Sequence, residues 1–241
     1  YMPDDAWDTS KYVYWANQCN GLQYNPASNY PLPVTSTGAT YPNMGFTTAW
    51  NDGFKASLSS YTSSTTSMDM GVDAAAGTTR NVVVGSSSGL TVAGTTVLAV
   101  DSSNYYRWML GSIVSASGTT LTIKFTFSTD SASVTKNAWR IGKPSTRNLN
   151  NSSYYSYQGT QKALNWTYTG SAVDTSTDFY KECNKTLDTD TSKFTKVTVT
   201  TASSDTQKYA NWYSYYRARY LMARSAGGRC WTCRRRYGCG C

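Results

Sequence analysis

The side chains that could do chemistry in this chain fall into a few groups, each pointing to a different activity. Cys230, Cys233, Cys239 and Cys241 form Cys-x-x-Cys followed by Cys-x-Cys, a thiolate set that superficially suits zinc. The spacing is tighter and richer in arginine than a recognisable zinc fold. Asp188-x-Asp190-x-Ser192 offers the closely spaced oxygens that a calcium ion prefers. Lys193 stands where the loop would need Gly and Val199 where it would need a bidentate Glu, so the run reads as a solvated acidic turn. Asp4, Asp5, Asp8 and Asp52 could converge as the paired carboxylates of a glycoside hydrolase, yet the 14 acidic residues are scattered through polar stretches as surface acids are. Histidine is absent altogether, which removes the commonest general base and zinc ligand and excludes any Ser–His or Cys–His nucleophile. The expectation is a binding protein, not an enzyme, with no cofactor held by this chain.

Aromatic side chains are the other candidates. The chain has 20 Tyr and 8 Trp with only 15% charged residues, a profile suited to a secreted, mostly β surface protein, because Tyr and Trp bury an apolar body while keeping a polar tip wet. Tyr12, Tyr14 and Trp15, and Tyr154, Tyr155 and Tyr157, could form stacking surfaces for sugars or host proteins; the alternative is that they pin loops from within the core.

The formal charge of +8 suggests nucleic acid until its position is counted. Seven of the 22 basic residues are Arg217, Arg219, Arg224, Arg229, Arg234, Arg235 and Arg236, and all 14 acids lie before them. The excess belongs to the last 25 residues and not to a folded basic face, so no nucleic-acid partner is expected. No apolar run reaches the roughly 18 to 20 residues of a membrane span, and no signal peptide is present. A chain that starts at Tyr1 without Met is expected to be a fragment with its export signal upstream, or a processed mature form.

The elements that must position these residues follow from turn signals and periodicity. Residues 1–77 are rich in Tyr and Pro, with turns at Asn20-Gly21, Asn25-Pro26, Pro31-Leu32-Pro33 and Tyr41-Pro42-Asn43; ordered loops pinned by aromatics are expected, with residues 56–77 as a connector. Residues 78–142 carry short β-type runs at 80–84, 95–101, 105–115, 119–128 and 137–142. Leu121, Ile123, Phe125 and Phe127 alternate with polar neighbours at period two, and Ser117-Gly118 reads as a hairpin turn. A small antiparallel β-module is expected there. Residues 143–203 form a second loop and strand region, with strands at Leu164–Tyr168 and Phe194–Thr200. Residues 204–228 then predict one long helix, opened by a Ser204/Gln207 capping box and stopped by Gly227-Gly228. Residues 229–241 make a Cys- and Arg-rich tail, expected to be non-native, from a shifted or truncated reading of GC-rich DNA.

Four strings occur in order: Tyr1-Met2-Pro3-Asp4, residues 18–26 (Gln-Cys-Asn-Gly-Leu-Gln-Tyr-Asn-Pro), residues 46–54 (Phe-Thr-Thr-Ala-Trp-Asn-Asp-Gly-Phe) and residues 211–217 (Asn-Trp-Tyr-Ser-Tyr-Tyr-Arg). Together they resemble the N-terminal region of the type IV pilus tip-associated adhesin and biogenesis proteins, the PilY/PilC-like family. The resemblance implies a mainly β fold with irregular Tyr-rich loops, an embedded antiparallel module and one C-terminal helix, the helix being the first of an incomplete von Willebrand factor A-like α/β domain. It implies that residues 1–77 and the strand regions after them elaborate the metal-bearing rim of that domain. It also implies an extracellular place, at the pilus tip or outer-membrane surface, with minor pilins or other pilus components and a host or abiotic surface as partners. The Asp-x-Ser-x-Ser motif of the family's metal site does not occur in this sequence, so no metal ligand is assigned, and a divalent cation belongs at most to the complete parent domain. Cys19 and Cys183, inside matching segments of a protein expected outside the cytoplasm, are a possible disulfide; two buried free thiols are the alternative. The helix face of Trp212, Tyr216 and Tyr220 would lack its sheet in this chain.

Separately, Met109-Leu110-Gly111-Ser112-Ile113-Val114 and Gly118-Thr119-Thr120-Leu121-Thr122-Ile123 resemble a small β-module of phage tail fibres and other surface proteins. That likeness implies the second reading, a tail-fibre-like or glycan-binding attachment module.

Overall fold

The Gly- and Ser-punctuated apolar runs pair, in a computed structural model that describes residues 15–74, 78–130, 134–158 and 194–227, into antiparallel sheets. The main sheet has six strands in the order β1 (Leu58–Ser64), β8 (Trp139–Pro144), β4 (Thr96–Asp101), β5 (Trp108–Ser117), β6 (Thr120–Ser128) and β3 (Thr79–Val83). Two short strands, β2 (Met68–Asp69) and β7 (Thr135–Lys136), pair beside it. The sheet curls until its edges meet: Ser64 Oγ donates to the Val83 carbonyl, Val83 N to Thr66 Oγ1, Gly85 N to the Ser63 carbonyl and Ser86 N to Thr62 Oγ1. Side-chain hydroxyls and one backbone bond thus tie the two edges together at one end, and a small, partly open barrel results.

Inside it, Val97, Ala99, Met109, Ile113, Leu121 and Ile123 pack with Phe125, Trp139 and Ile141 into one core, and Met68 and Met70 join them. The expected connector is therefore, over residues 58–70, part of the barrel. Its strand β1 hid from periodicity because most of its Ser, Thr and Tyr side chains face water. The hairpin at Ser117-Gly118 is present, with Gly118 at φ 56°, the left-handed conformation that a two-residue turn asks of its first position. The expectation that Phe127 shares the face of Leu121, Ile123 and Phe125 is corrected. Leu110 pairs with Phe127 but Gly111 pairs with Phe125, so Thr126 is an extra residue, and this bulge turns Phe127 to the outside.

Phe127 then joins Leu98, Val100 and Trp108 on the outer face of the barrel, where they meet a second, aromatic core. That core is built by the loops of residues 22–54 and by α1 (Thr206–Tyr215). Tyr24 lies within 5.7 Å of the rings of Tyr30, Tyr154, Tyr209 and Trp212. Tyr41 is ringed by Phe54, Trp108, Phe127 and Tyr215. Loops that lack a sheet still have carbonyls to satisfy, and the helix satisfies them. Trp212 Nε1 donates to the Leu22 carbonyl at 3.0 Å, Tyr215 OH to Pro42, Tyr216 OH to Pro31, and Gln207 Nε2 to Met44. Aromatic side chains thus pin the loops of residues 22–54. A third, smaller sheet pairs β9 (Ser152–Tyr157) with β10 (Phe194–Val199).

The helix departs from expectation in three ways. Asp205 precedes it without a side-chain cap bond, and Gln207 is held by Met44 and Asn211 instead of closing a capping box. The helix is not continuous: the Trp212 carbonyl accepts from both Tyr216 N and Arg217 N, the chain breaks, and a second helical segment covers residues 219–227. Ser225 Oγ reaches back to the Tyr215 carbonyl at 2.8 Å, so this segment closes the end that the first one leaves open. Finally, the face of Trp212 and Tyr216 is not uncovered, since both are buried under the loops, while the break carries Tyr220 away from them to 53% exposure. The expected strand at Leu164–Tyr168 and the tail at 229–241 lie outside the described residues.

Candidate functional site

The segment 49–58 bridges the two cores, and backbone bonds fix it on every side. Ala49 and Arg147 exchange two hydrogen bonds, Ser145 N donates to the Ser57 carbonyl at 2.7 Å, Ala56 N to Tyr105, and Gly53 N to Ser214 on α1. Asp52 turns the chain by accepting from Phe54 N and Lys55 N through Oδ1. Between this segment, β1, β8 and the turn that joins β4 to β5 lies a cleft of about 420 Å³, within the size range of small-ligand sites. Its walls include Trp50, Asp52, Lys55, Tyr61, Tyr105 and Arg140.

Arg140 is the centre of the cleft. Its guanidinium lies 4.8 Å from the ring centre of Tyr61 and 5.1 Å from that of Tyr105, and it donates from Nη1 to the Tyr105 hydroxyl. Two aromatic faces hold the charge by cation–π attraction. Among the described residues no carboxylate pairs with Arg140, and its Nε and Nη2 donors have no side-chain or backbone acceptor. Similar pairs stand alongside: Arg224 lies 4.1 Å from the Tyr106 ring, with Lys55 at 6.0 Å, and Arg217 lies 4.1 Å from Tyr213.

The aromatic core behind the cleft is dry enough to change tyrosine chemistry. Burial pushes the Tyr41 hydroxyl up to about 12. Burial, with the Asp205 carboxylate that accepts its hydrogen bond at 2.7 Å, pushes Tyr24 well above the usual tyrosine range, and burial does the same to Tyr209 and Tyr215. These groups are held neutral and are structural.

Of the aromatics expected to bind, Tyr154 and Tyr157 are corrected. They are 8% and 4% exposed, Tyr154 against Tyr24 and Tyr157 against Phe194, because β9 has a core against each of its faces, the aromatic one for Tyr154 and a small one with Ala16 for Tyr157. Tyr155 and Trp15 are half-buried; Tyr155 packs with Ala16 and Cys19. Tyr12 and Tyr14 lie outside the described residues, as do Asp4, Asp5, Asp8, the run at 188–192 and the four C-terminal cysteines. Cys19 is disulfide-bonded; its partner, and Cys183, lie outside the described residues. Among the described residues no group of three or more His, Cys, Asp or Glu could hold a metal ion, and no helix is long and apolar enough to cross a membrane. Sequence reasoning missed Trp50, Tyr61, Tyr105 and Arg140, which come together only through the barrel's pairing; the one local signal is a lone Arg inside the apolar strand 139–142.

Comparisons with protein-family models, with curated proteins and with solved structures found no match to this chain.

Proposed function

We propose that this chain is a binding module of a type IV pilus tip-associated adhesin and biogenesis protein of the PilY/PilC-like kind, acting outside the cell and without catalysis. The observation that carries the reading is the meeting of three of the four family-like strings. Residues 18–26, 46–54 and 211–217 are up to 190 positions apart, yet they pack into one another through Trp212 to Leu22, Tyr213 to Asn51, Arg217 to Asn51 and Gly53 to Ser214. Strings shared with a family and also mutually packed are what a common structural frame requires. In this reading α1 is the first helix of a von Willebrand factor A-like domain whose other parts lie elsewhere, and any divalent cation belongs to that complete domain. The partners are minor pilins or other pilus components and a host or abiotic surface, at the pilus tip or outer-membrane surface, with no nucleic acid.

The test is retention of purified minor pilins on the immobilised chain, and loss of that retention in Trp212→Ala, which removes the aromatic that joins α1 to the loops. Binding of all minor pilins at the level of an unrelated β-protein overturns the reading. A second reading, a tail-fibre-like or glycan-binding attachment module, is favoured by one observation, the cleft at the barrel's edge.

A further inference from the structure

We infer that the cleft around Arg140 binds a carboxylate-bearing sugar, a hexuronate-type residue within a glycan. The inference rests on the chain being a binding protein, and not on its assignment to a pilus.

Three features of the cleft select this chemistry. Arg140 is a planar fork whose Nε and Nη2 edge is unused among the described residues, the arrangement that receives a carboxylate through two parallel hydrogen bonds. Its other contacts are two aromatic faces and a tyrosine hydroxyl, so the fork is held in place before any ligand arrives. Less rotamer freedom is then lost on binding. The second feature is the body of the cleft. Tyr61 and Tyr105 line it with aromatic surface, backed by the largely buried Trp50, and Asn51, Ser57 and Ser145 stand among them. A pyranose needs both, since its C–H face is apolar and its edge carries hydroxyls. A pocket for a bare anion would need neither aromatic faces nor an amide. The third is charge: Lys55 reinforces Arg140, while Asp52 spends one carboxylate oxygen on two backbone N–H groups. The cleft therefore favours one negative group and not several. Tyr61 is 56% exposed and gives a glycan access from solvent.

The experiment is a calorimetric or tryptophan-fluorescence titration of the full chain with oligogalacturonate, with its methyl ester, and with poly-glutamate. Saturable binding of oligogalacturonate is expected, with loss of about tenfold or more for the ester and for Arg140→Gln. Arg140→Lys should recover only part of it, because a point charge cannot grip two oxygens. Tyr61→Ala sits on the surface and should weaken binding severalfold with an unchanged melting temperature, which keeps the test decisive if an Arg140 variant folds poorly. Equal binding of the ester overturns the carboxylate assignment. Equal or tighter binding of poly-glutamate shows an acidic-peptide site and overturns the sugar, as does no binding of oligogalacturonate at millimolar concentration. Retention of minor pilins is scored separately, so failure of the pilus reading with sugar binding intact leaves this inference standing, and the reverse overturns only this inference.

Discussion

Tyr41 shows how a single residue reports on the fold. Its hydroxyl is pushed up to about 12 by burial, while an unfolded tyrosine loses its proton near 10. A group whose folded pKa is raised contributes stability that is complete below the unfolded value and is lost as pH rises towards the folded one. With Tyr24, Tyr209 and Tyr215 raised in the same way, the chain should hold its melting temperature up to about pH 10 and unfold steeply above it. Absorbance at 295 nm should show the buried tyrosines ionising only together with unfolding. Asp101 gives the opposite limb. Burial alone would raise its carboxyl, but Ser103, which donates through both Oγ and N, and the nearby Lys136 and Arg107 charges leave it lowered. Its contribution is present above the ordinary Asp value of about 3.9 and fades as pH falls through the lower folded value. Asp101→Asn should cost about 1 to 3 kcal/mol at neutral pH and flatten the acid limb of the stability profile. Gly53 is a matter of space: a Cβ there would sit 2.2 Å from Tyr215 Cε1, a buried ring that cannot swing away. Gly53→Ala should destabilise by about 1 to 3 kcal/mol, read by urea titration.

At the scale of elements, strands were legible where apolar residues recur along them. The runs at 80–84, 95–101 and 119–128 lie over β3, β4 and β6 of the barrel, β4 being buried on both faces, and the run at 194–200 lies over β10 of the small third sheet. β1 was not legible, since Leu58–Ser64 is almost all hydroxyl side chains and its pairing depends on β8, 75 to 86 residues further on in the register Leu58 to Pro144 through Ser64 to Trp139. The break after Tyr215 was equally hidden, because the helical spacing of Tyr209, Trp212, Tyr216 and Tyr220 continues through it. The cleft was not legible at all: Trp50, Tyr105 and Arg140 become neighbours because the 49–58 segment bonds to Tyr105 and Arg147 across the barrel, which no local pattern encodes. Trp108 tests the joint between elements. It packs on Trp50, Tyr41 and Phe127 and donates Nε1 to the Phe54 carbonyl. Trp108→Ala should cost about 3 to 5 kcal/mol, and near-ultraviolet circular dichroism should show loss of aromatic order in the loops as well as in the barrel.

The whole molecule is organised by partners distant in sequence. Leu22, Pro26, Pro31, Pro42 and Met44 all present carbonyls to side chains of residues 207–216. The Cys19 disulfide adds a covalent tie to the same region, and Cys19→Ser should lower stability by about 2 to 4 kcal/mol, measured as a drop in melting temperature that reducing agent reproduces in the parent and not in the variant. Contacts of such length also set an order of events. The hairpins of the barrel, such as β5 with β6, close over a few residues and can form as soon as they are synthesised. The loops of residues 22–44 cannot, because the groups that answer their carbonyls are made 163 to 190 residues later. A nascent chain should therefore carry a finished barrel beside unfinished loops, open to proteases and chaperones until α1 emerges and draws them in.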